Sequence, residues 1–537
     1  MVTMYSFASR GVANDSVSRR LPIVLLVCVT LASVCFGQVT AVPTGRMDNQ
    51  RTGQNISETV LTPANVNSKQ FGNIFSYPID YQALAQPLYV SNVNIPNQGT
   101  HNVVYVATMA DSVYAFDADS AAANPNPLWL VNFTDPANGI TTASIYSNTS
   151  SGNISLPCAG NGAGTVGFFQ EGIAGTPAID TVGGTLYVVA KTLESGTVVH
   201  KLHALDITTG AEKFGGPMVI KASSSYTNPI TGKTYNTTFN SLHQLNRPGL
   251  LFLNGVVYMA FGSNSCNDSA TGWVLSYNAT SLTPIAAFNT SPQHGLASIW
   301  QTGNGIAADE TNNIFVETGE TCGSCFDVKA GGATYSNSVI ELDPTSLTVR
   351  DYFTPYDVQF LNQNDEDMSS TGVLVLPDQS GETTHELVAG GKEGFMYLLN
   401  RDSMGAFENG AACNFSSQSP ACDNVLQEFA LVANDQPAQR KDVLFSSPAY
   451  WNNTVYFAPD GAPISAYPIL SSGLLGTPVP SCAKPPCTAA NAQSYVGAHS
   501  PSVSANGNSN GIVWVISGNS LDAFNATTMQ LLYSPAR

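Results

Sequence analysis

A chain of 537 residues is too long for one ordinary hydrophobic core, so either several domains or one large repeat architecture is expected. It carries 20 Lys and Arg against 38 Asp and Glu, a net charge of −18, and only 11% of its residues are charged. So acidic a surface repels phosphate backbones and anionic lipid, which excludes nucleic acid as a partner. Gly and Pro are plentiful, and Ser, Thr, Asn, Val and Tyr recur, a composition that favours many short strands and turns.

In chain order, the first segment is basic, with Arg10, Arg19 and Arg20, and the apolar run LPIVLLVCVTLASVCF follows from Leu21 to Phe36. With the small Gly37 before Gln38, residues 1–37 read as an export signal, which places the mature protein in the periplasm or outside the cell. The alternative is an uncleaved anchor, but the run is shorter than the roughly 20 residues of a spanning helix, and no later run is long enough to cross a bilayer. Loss of residues 1–37 removes Arg10, Arg19, Arg20 and Asp15, which takes the balance from −18 to −20. Cys28 and Cys35 go with it. Among the remaining cysteines, Cys413 and Cys422 enclose a short loop, Cys482 and Cys487 another, and Cys322 and Cys325 form CGSC. In an exported chain such close pairs read as disulfides. A metal at CGSC lacks a second CxxC or a nearby His, and Phe326 stands where haem attachment needs His.

Residues 38–82 form an N-terminal segment in which FGNIFSYPID offers a strand that could close a ring. From residue 83 to 537 one pattern returns seven times. QPLYV precedes NVVYVATMADSVYAFDADS, TPAID precedes TLYVVAKT and HKLHALDITTGAEKF, and RPGLLFLNGVVYMAFGS leads into GWVLSYNATSL. NGIAADETNNIFVETGE with NSVIELDPTSL, STGVLVLP with ELVAGGKEGFMYLLNRDSM, SSPAYWNNTVYFAPDG with PISAYPILSSG, and SPSVSANGNSNGIVWVISGNSLDAF complete the series. Tyr105, Tyr187, Tyr258, Phe315, Leu387, Tyr456 and Trp514 mark the second strand of each unit, 57 to 82 residues apart. Four short alternating strands cannot bury both faces alone, and radial stacking solves this. The predicted fold is therefore all-β: a propeller of four-stranded antiparallel blades, seven clear and an eighth open. Asp117, Asp206 and Asp343 precede polar tight turns, where a carboxylate accepts backbone N–H bonds.

HALDITTGAEKF and VYAFDADS, each after a VYV-type strand, together with RMDNQRTGQN, resemble the repeats and N-terminal segment of the pyrroloquinoline-quinone (PQQ) propellers, the quinoprotein alcohol dehydrogenase-like family. The resemblance spans about residues 46–537 and implies an eight-bladed ring. It also implies PQQ and calcium as cofactors, with calcium polarising the quinone and a carboxylate taking the substrate proton during oxidation of alcohols or sugars. This chain lacks the adjacent Cys-Cys pair of several members and any CxxCH segment.

In a propeller, residues at or before the opening strands converge on the axis. Here these are Gln86, Glu171, His243, Arg247, Gln301, Asp367, Ser369, Ser447 and His499, joined by Lys392 of GGKEG. By position, Glu171 and Asp367 are the candidates for catalytic base or calcium ligand, and His243, Arg247, Gln301, Lys392 and His499 for cofactor binding, since Arg pairs bidentately with carboxylates and calcium takes hard oxygens. The same groups would equally fill a wet channel and satisfy loop backbones. Two functions stay open. One is a binding or scaffold propeller whose loops, including 144–167 and 327–338, take a glycan, peptide or protein. The other is a PQQ- and calcium-dependent dehydrogenase.

Overall fold

The computed structural model describes residues 2–7, 41–120, 126–143, 170–263, 270–408, 423–432, 443–497 and 500–535. All seven predicted units become blades, each with four strands in sequence order from the axis outward. Blade 1 runs Leu88–Ile95, Gly99–Ala107, Ser112–Asp117, Trp129–Asn132; blade 2 runs Ala178–Asp180, Thr185–Glu194, Thr197–Asp206, Met218–Val219. Blade 3 begins at Leu251–Leu253, blade 4 at Ala307–Ala308, blade 5 at Leu374–Val375, blade 6 at Ala449–Tyr450 and blade 7 at Ser502–Asn506. Tight turns fix the antiparallel register: Asn254–Gly255 and Asn452–Asn453 both place two consecutive residues at positive φ, the geometry that matches hairpin twist.

Strand alternation explains the stacking. In Thr185–Glu194, Leu186, Val188 and Ala190 pack toward blade 1, whereas Tyr187 and Val189 pack toward blade 3. Similar apolar clusters join blades 3 and 4, 4 and 5, 5 and 6, and 6 and 7. The acidic turns behave as the sequence predicts: the Asp206 carboxylate accepts Thr208 N–H (2.8 Å) and that of Asp343 accepts Thr345 N–H (2.9 Å) and Ser346 N–H (2.8 Å).

Blades 7 and 1 meet differently. The strand Phe71–Tyr77 belongs to no blade, which corrects the expectation that it closes the ring; it pairs antiparallel with Val2–Phe7. It fills the seam as a wedge, with Phe71 edge-on to Tyr533 of blade 7 (4.9 Å between ring centroids) and Tyr77 stacked on Phe116 of blade 1 (4.5 Å). The ring therefore has seven blades, with this strand packed at the seam between blades 7 and 1.

Ring closure falls to residues 41–55. Ala41–Val42 pairs with Tyr89 and Val90 of blade 1, and Pro43 O accepts Ile179 N–H of blade 2 (2.7 Å). Thr44 Oγ1 donates to Leu250 O at blade 3 (3.0 Å). Asn49 O, Gln50 O, Thr52 O and Gly53 O then accept the amides of Ala308, Val375, Tyr450 and Val503 in blades 4 to 7 (2.7, 3.0, 2.8 and 2.8 Å). Gln54–Asn55 finishes parallel to Val503 and Ser504. The strap thus bonds to every blade in order, and Arg51 anchors it. Fully buried, Arg51 donates to Ile306 O from Nε (2.9 Å) and Nη2 (2.6 Å), to Thr44 Oγ1 and Gly45 O from Nη1 (both 2.7 Å), and to Leu250 O from Nη2 (3.1 Å). Burial pushes its guanidinium down to about 10, still charged at neutral pH.

Candidate functional site

The segments that lead into the inner strands are bonded blade to blade. Leu250 N–H donates to Thr176 O (2.9 Å), Gly249 N–H to Asn304 O (2.8 Å), Gln301 N–H to Ser369 O (2.6 Å), Ser447 Oγ to Thr371 O (2.8 Å) and Ser447 N–H to Ser500 Oγ (2.9 Å). Of the residues singled out from sequence, Gln301, Ser369 and Ser447 take part in these bonds. Gln86 instead serves the strap, accepting Arg46 N–H (2.9 Å) through its side chain. His499 lies outside the described residues.

The two candidate carboxylates are held apart by different partners. Glu171, buried beside blade 2, forms an ion pair with Lys191, whose Nζ also donates to Gln244 O (2.9 Å). Lys191 is fully buried, and desolvation lowers its pKa while the Glu171 charge opposes the shift. Its cross-strand neighbour His200 is buried with neither ring nitrogen hydrogen-bonded, which drives the imidazole well toward the neutral form. His243, half-buried nearby, is likewise pushed down by burial and by the Lys191 charge.

Asp367 sits in blade 5. Its Oδ2 pairs with Lys392 Nζ (2.6 Å), its Oδ1 accepts Glu320 N–H (2.8 Å), and Lys392 also reaches Asp365 Oδ1 (2.7 Å). Burial raises the Asp367 pKa against the pull of Lys392. Glu320, half-buried beside it, is pushed up to about 8 by burial and then by the Asp367 charge. The backbone hydrogen bond from Gln301 to Ser369 joins the lead-ins of blades 4 and 5, so those two predicted residues do meet. Gln301 is fully buried at φ +36°, its amide nitrogen bonded to Gly305 O (2.8 Å) and its Oε1 left without a partner.

Arg247 differs from all of these. It makes one long bond, Nη1 to Ala174 O (3.4 Å), and among the described residues no carboxylate pairs with it. Burial alone pushes it down to about 10. A guanidinium with donors to spare beside a girdle of backbone bonds is suited to receive a carboxylate in its fork.

Calcium fits poorly. Glu171 and Asp367 are each engaged by a lysine, in separate blades, so no oxygen cage brings them together. Among the described residues, the single group of three ligand-type side chains with atoms within 4.8 Å of one another is Glu310, Asp378 and His385. It lies on lead-out and hairpin segments of blades 4 and 5, away from the girdle, with Arg401 already bonded to Glu310 (3.3 Å).

Sequence reasoning missed Lys191, Glu317, Glu320, Arg46 and Arg51. Lys191 carried a signal, because it falls in register with Tyr187 and Val189 on a face that must be buried. Glu317 is fully buried in blade 4, where Thr371 Oγ1 (3.2 Å) and Gly390 N–H (3.4 Å) donate to its carboxyl and burial pushes it up to about 8. The CGSC pair and Cys482–Cys487 are disulfide-bonded, with Cα–Cα distances of 5.1 and 5.3 Å; Cys413 and Cys422 lie outside the described residues. Among the described residues no helix is long and apolar enough to cross a membrane.

No protein-family model and no curated protein matches this sequence. Solved structures do resemble it in fold. A quinohemoprotein alcohol dehydrogenase from Comamonas testosteroni superposes with a TM-score of 0.56 at 14% identity, over 92% of this chain and 72% of that one. One from Pseudomonas putida gives 0.55 at 13% over the same shares. A europium-containing methanol dehydrogenase gives 0.53 at 12%, over 93% of this chain and 85% of its own. The chain therefore has the PQQ-type β-propeller fold of the quinoprotein alcohol and methanol dehydrogenases, in a seven-bladed form.

Proposed function

We propose that this chain is an exported binding propeller that takes a small carboxylate-bearing molecule at the girdle, with Arg247 as its anchor. The observation that carries this reading is the Arg247 guanidinium, which has one 3.4 Å bond while Glu171 and Asp367 are already matched to lysines. A net charge of −18 repels anions at long range, so affinity must come from short, charge-assisted hydrogen bonds in a partly desolvated site. The dehydrogenase reading is favoured by one observation, the shared fold, and fold alone does not carry chemistry across 12 to 14% identity.

Pyrroloquinoline quinone, itself a tricarboxylate, separates the two. In calorimetric titrations with and without Ca²⁺, the binding reading expects calcium-independent association that Arg247→Met abolishes. Calcium-dependent, near-stoichiometric binding with alcohol oxidation by an artificial acceptor would establish the dehydrogenase instead. Absence of heat with the quinone and with a panel of di- and tricarboxylates would remove the anion-binding reading.

A further inference from the structure

The two described disulfides have unlike surroundings. Cys482 is fully buried, and its backbone is tied to blade 7: its N–H donates to Met529 O (3.2 Å) and its O accepts Leu531 N–H (2.9 Å). The Cys482–Cys487 loop therefore joins the outer edges of blades 6 and 7. Cys322 is exposed, and its bond to Cys325 encloses only Gly323 and Ser324 within the connection between the second and third strands of blade 4.

That connection is already fixed without the crosslink. Ala297 N–H donates to Glu320 O (2.6 Å), Thr321 Oγ1 to Gly295 O (3.0 Å), and Thr321 N–H to Asn362 Oδ1 (3.2 Å). Farther along, Asp327 Oδ1 accepts Thr334 N–H (2.9 Å), and a Cys325 N–H bond to Cys322 O (2.9 Å) holds the turn. A bridge closing so short a loop removes little entropy from the unfolded chain, so the fold has small need of it. What it does offer is an accessible sulfur with a resolving partner three residues away.

We propose that Cys322–Cys325 is a thiol–disulfide exchange site for a dithiol, chemically distinct from the structural pair Cys482–Cys487. A thiolate of the dithiol attacks Cys322 Sγ; the Cys322–Cys325 bond breaks, Cys325 leaves as thiolate and takes up a proton, and a mixed disulfide joins the donor to Cys322. The donor's second thiol then attacks its own sulfur in that bond and releases Cys322 as a thiol. Two electrons and two protons pass from the dithiol to the protein, and the donor ends as a cyclic disulfide. The change lies two residues from Glu320, whose amide holds Asp367, so it is placed to be felt at the girdle.

The test is a native-state titration of the full chain with dithiothreitol, followed by alkylation and peptide mass spectrometry. Cys322 and Cys325 should become alkylated while Cys482 and Cys487 stay oxidised and the near-ultraviolet dichroism is unchanged; after removal of dithiothreitol, oxidised glutathione should restore the pair. Joint reduction of both pairs, or reduction of CGSC only after tertiary structure is lost, would overturn the proposal. A second measurement does not depend on the native bridge: Cys322 in Cys325→Ser should react with an aromatic disulfide about ten-fold faster than Cys325 in Cys322→Ser. Equal rates would reject Cys322 as the attacked sulfur.

Discussion

Arg51 and Arg247 are the same side chain put to opposite uses at the axis of one propeller. Burial pushes both guanidinium groups down to about 10, so both remain charged. Arg51 places five bonds on the strap and on blades 3 and 4, whereas Arg247 places one long bond on blade 2. A desolvated cation whose donors are all used stabilises the fold; one with donors to spare has the fork free for the carboxylate we propose. Charge does not separate them; the backbone carbonyls each finds do, together with depth, since Arg51 is fully buried and Arg247 is partly exposed.

The largest expected effect is therefore at Arg51. Arg51→Met leaves the carbonyls of Gly45 and Ile306 without their side-chain donor and should cost about 5 kcal/mol in urea unfolding. Arg247→Met should change the unfolding free energy by no more than about 0.5 kcal/mol while removing ligand binding. Equal destabilisation by the two variants would dissolve the contrast. Next comes Lys191→Met, which strips a buried carboxylate of its counter-ion and should cost about 3 kcal/mol. The double variant Lys191→Met with Glu171→Leu should recover most of that loss, which a denaturation cycle of the four proteins reads directly.

A last effect is read as a slope and concerns pH. The Glu317 carboxyl titrates near 8 in the folded chain against 4.5 as its ordinary value. Below 4.5 both folded and unfolded chains hold the proton; between 4.5 and 8 the folded chain holds it and the unfolded chain has released it. The stabilising contribution is thus full in acid and is lost as pH rises through 8. Glu317→Gln should flatten the decline in unfolding free energy over that window by up to about 1.4 kcal/mol per pH unit. An unchanged slope would place the titration elsewhere.

The blades were legible because period-two alternation and acidic turns recur, and both features act locally. Glu171 and Asp367 were legible as polar residues ahead of axial strands and Lys392 through GGKEG, and the pairing of Asp367 with Lys392 joins the lead-in of blade 5 to the connection between its second and third strands. Lys191 was half visible, a charge in register with Tyr187 and Val189. The strap was not, since Arg51 and the carbonyls of residues 43–53 bond to backbone groups, which leave no mark in the side-chain sequence. The seam was misread for a similar reason: FGNIFSYPID has the alternation of a blade strand, but only tertiary packing decides that Phe71 and Tyr77 serve two different blades.

The strap also bears on how the ring melts. Stacked repeats that touch only their neighbours can fray one at a time from an end. Residues 41–55 are synthesised before any blade yet take partners as distant as Val503, so their bonds cannot be completed until nearly the whole ring has been made. Contacts spanning that much sequence slow folding and make loss of one blade a loss for all seven. The assembly should therefore unfold as one cooperative unit, with an enthalpy set by the whole ring, not by a single blade.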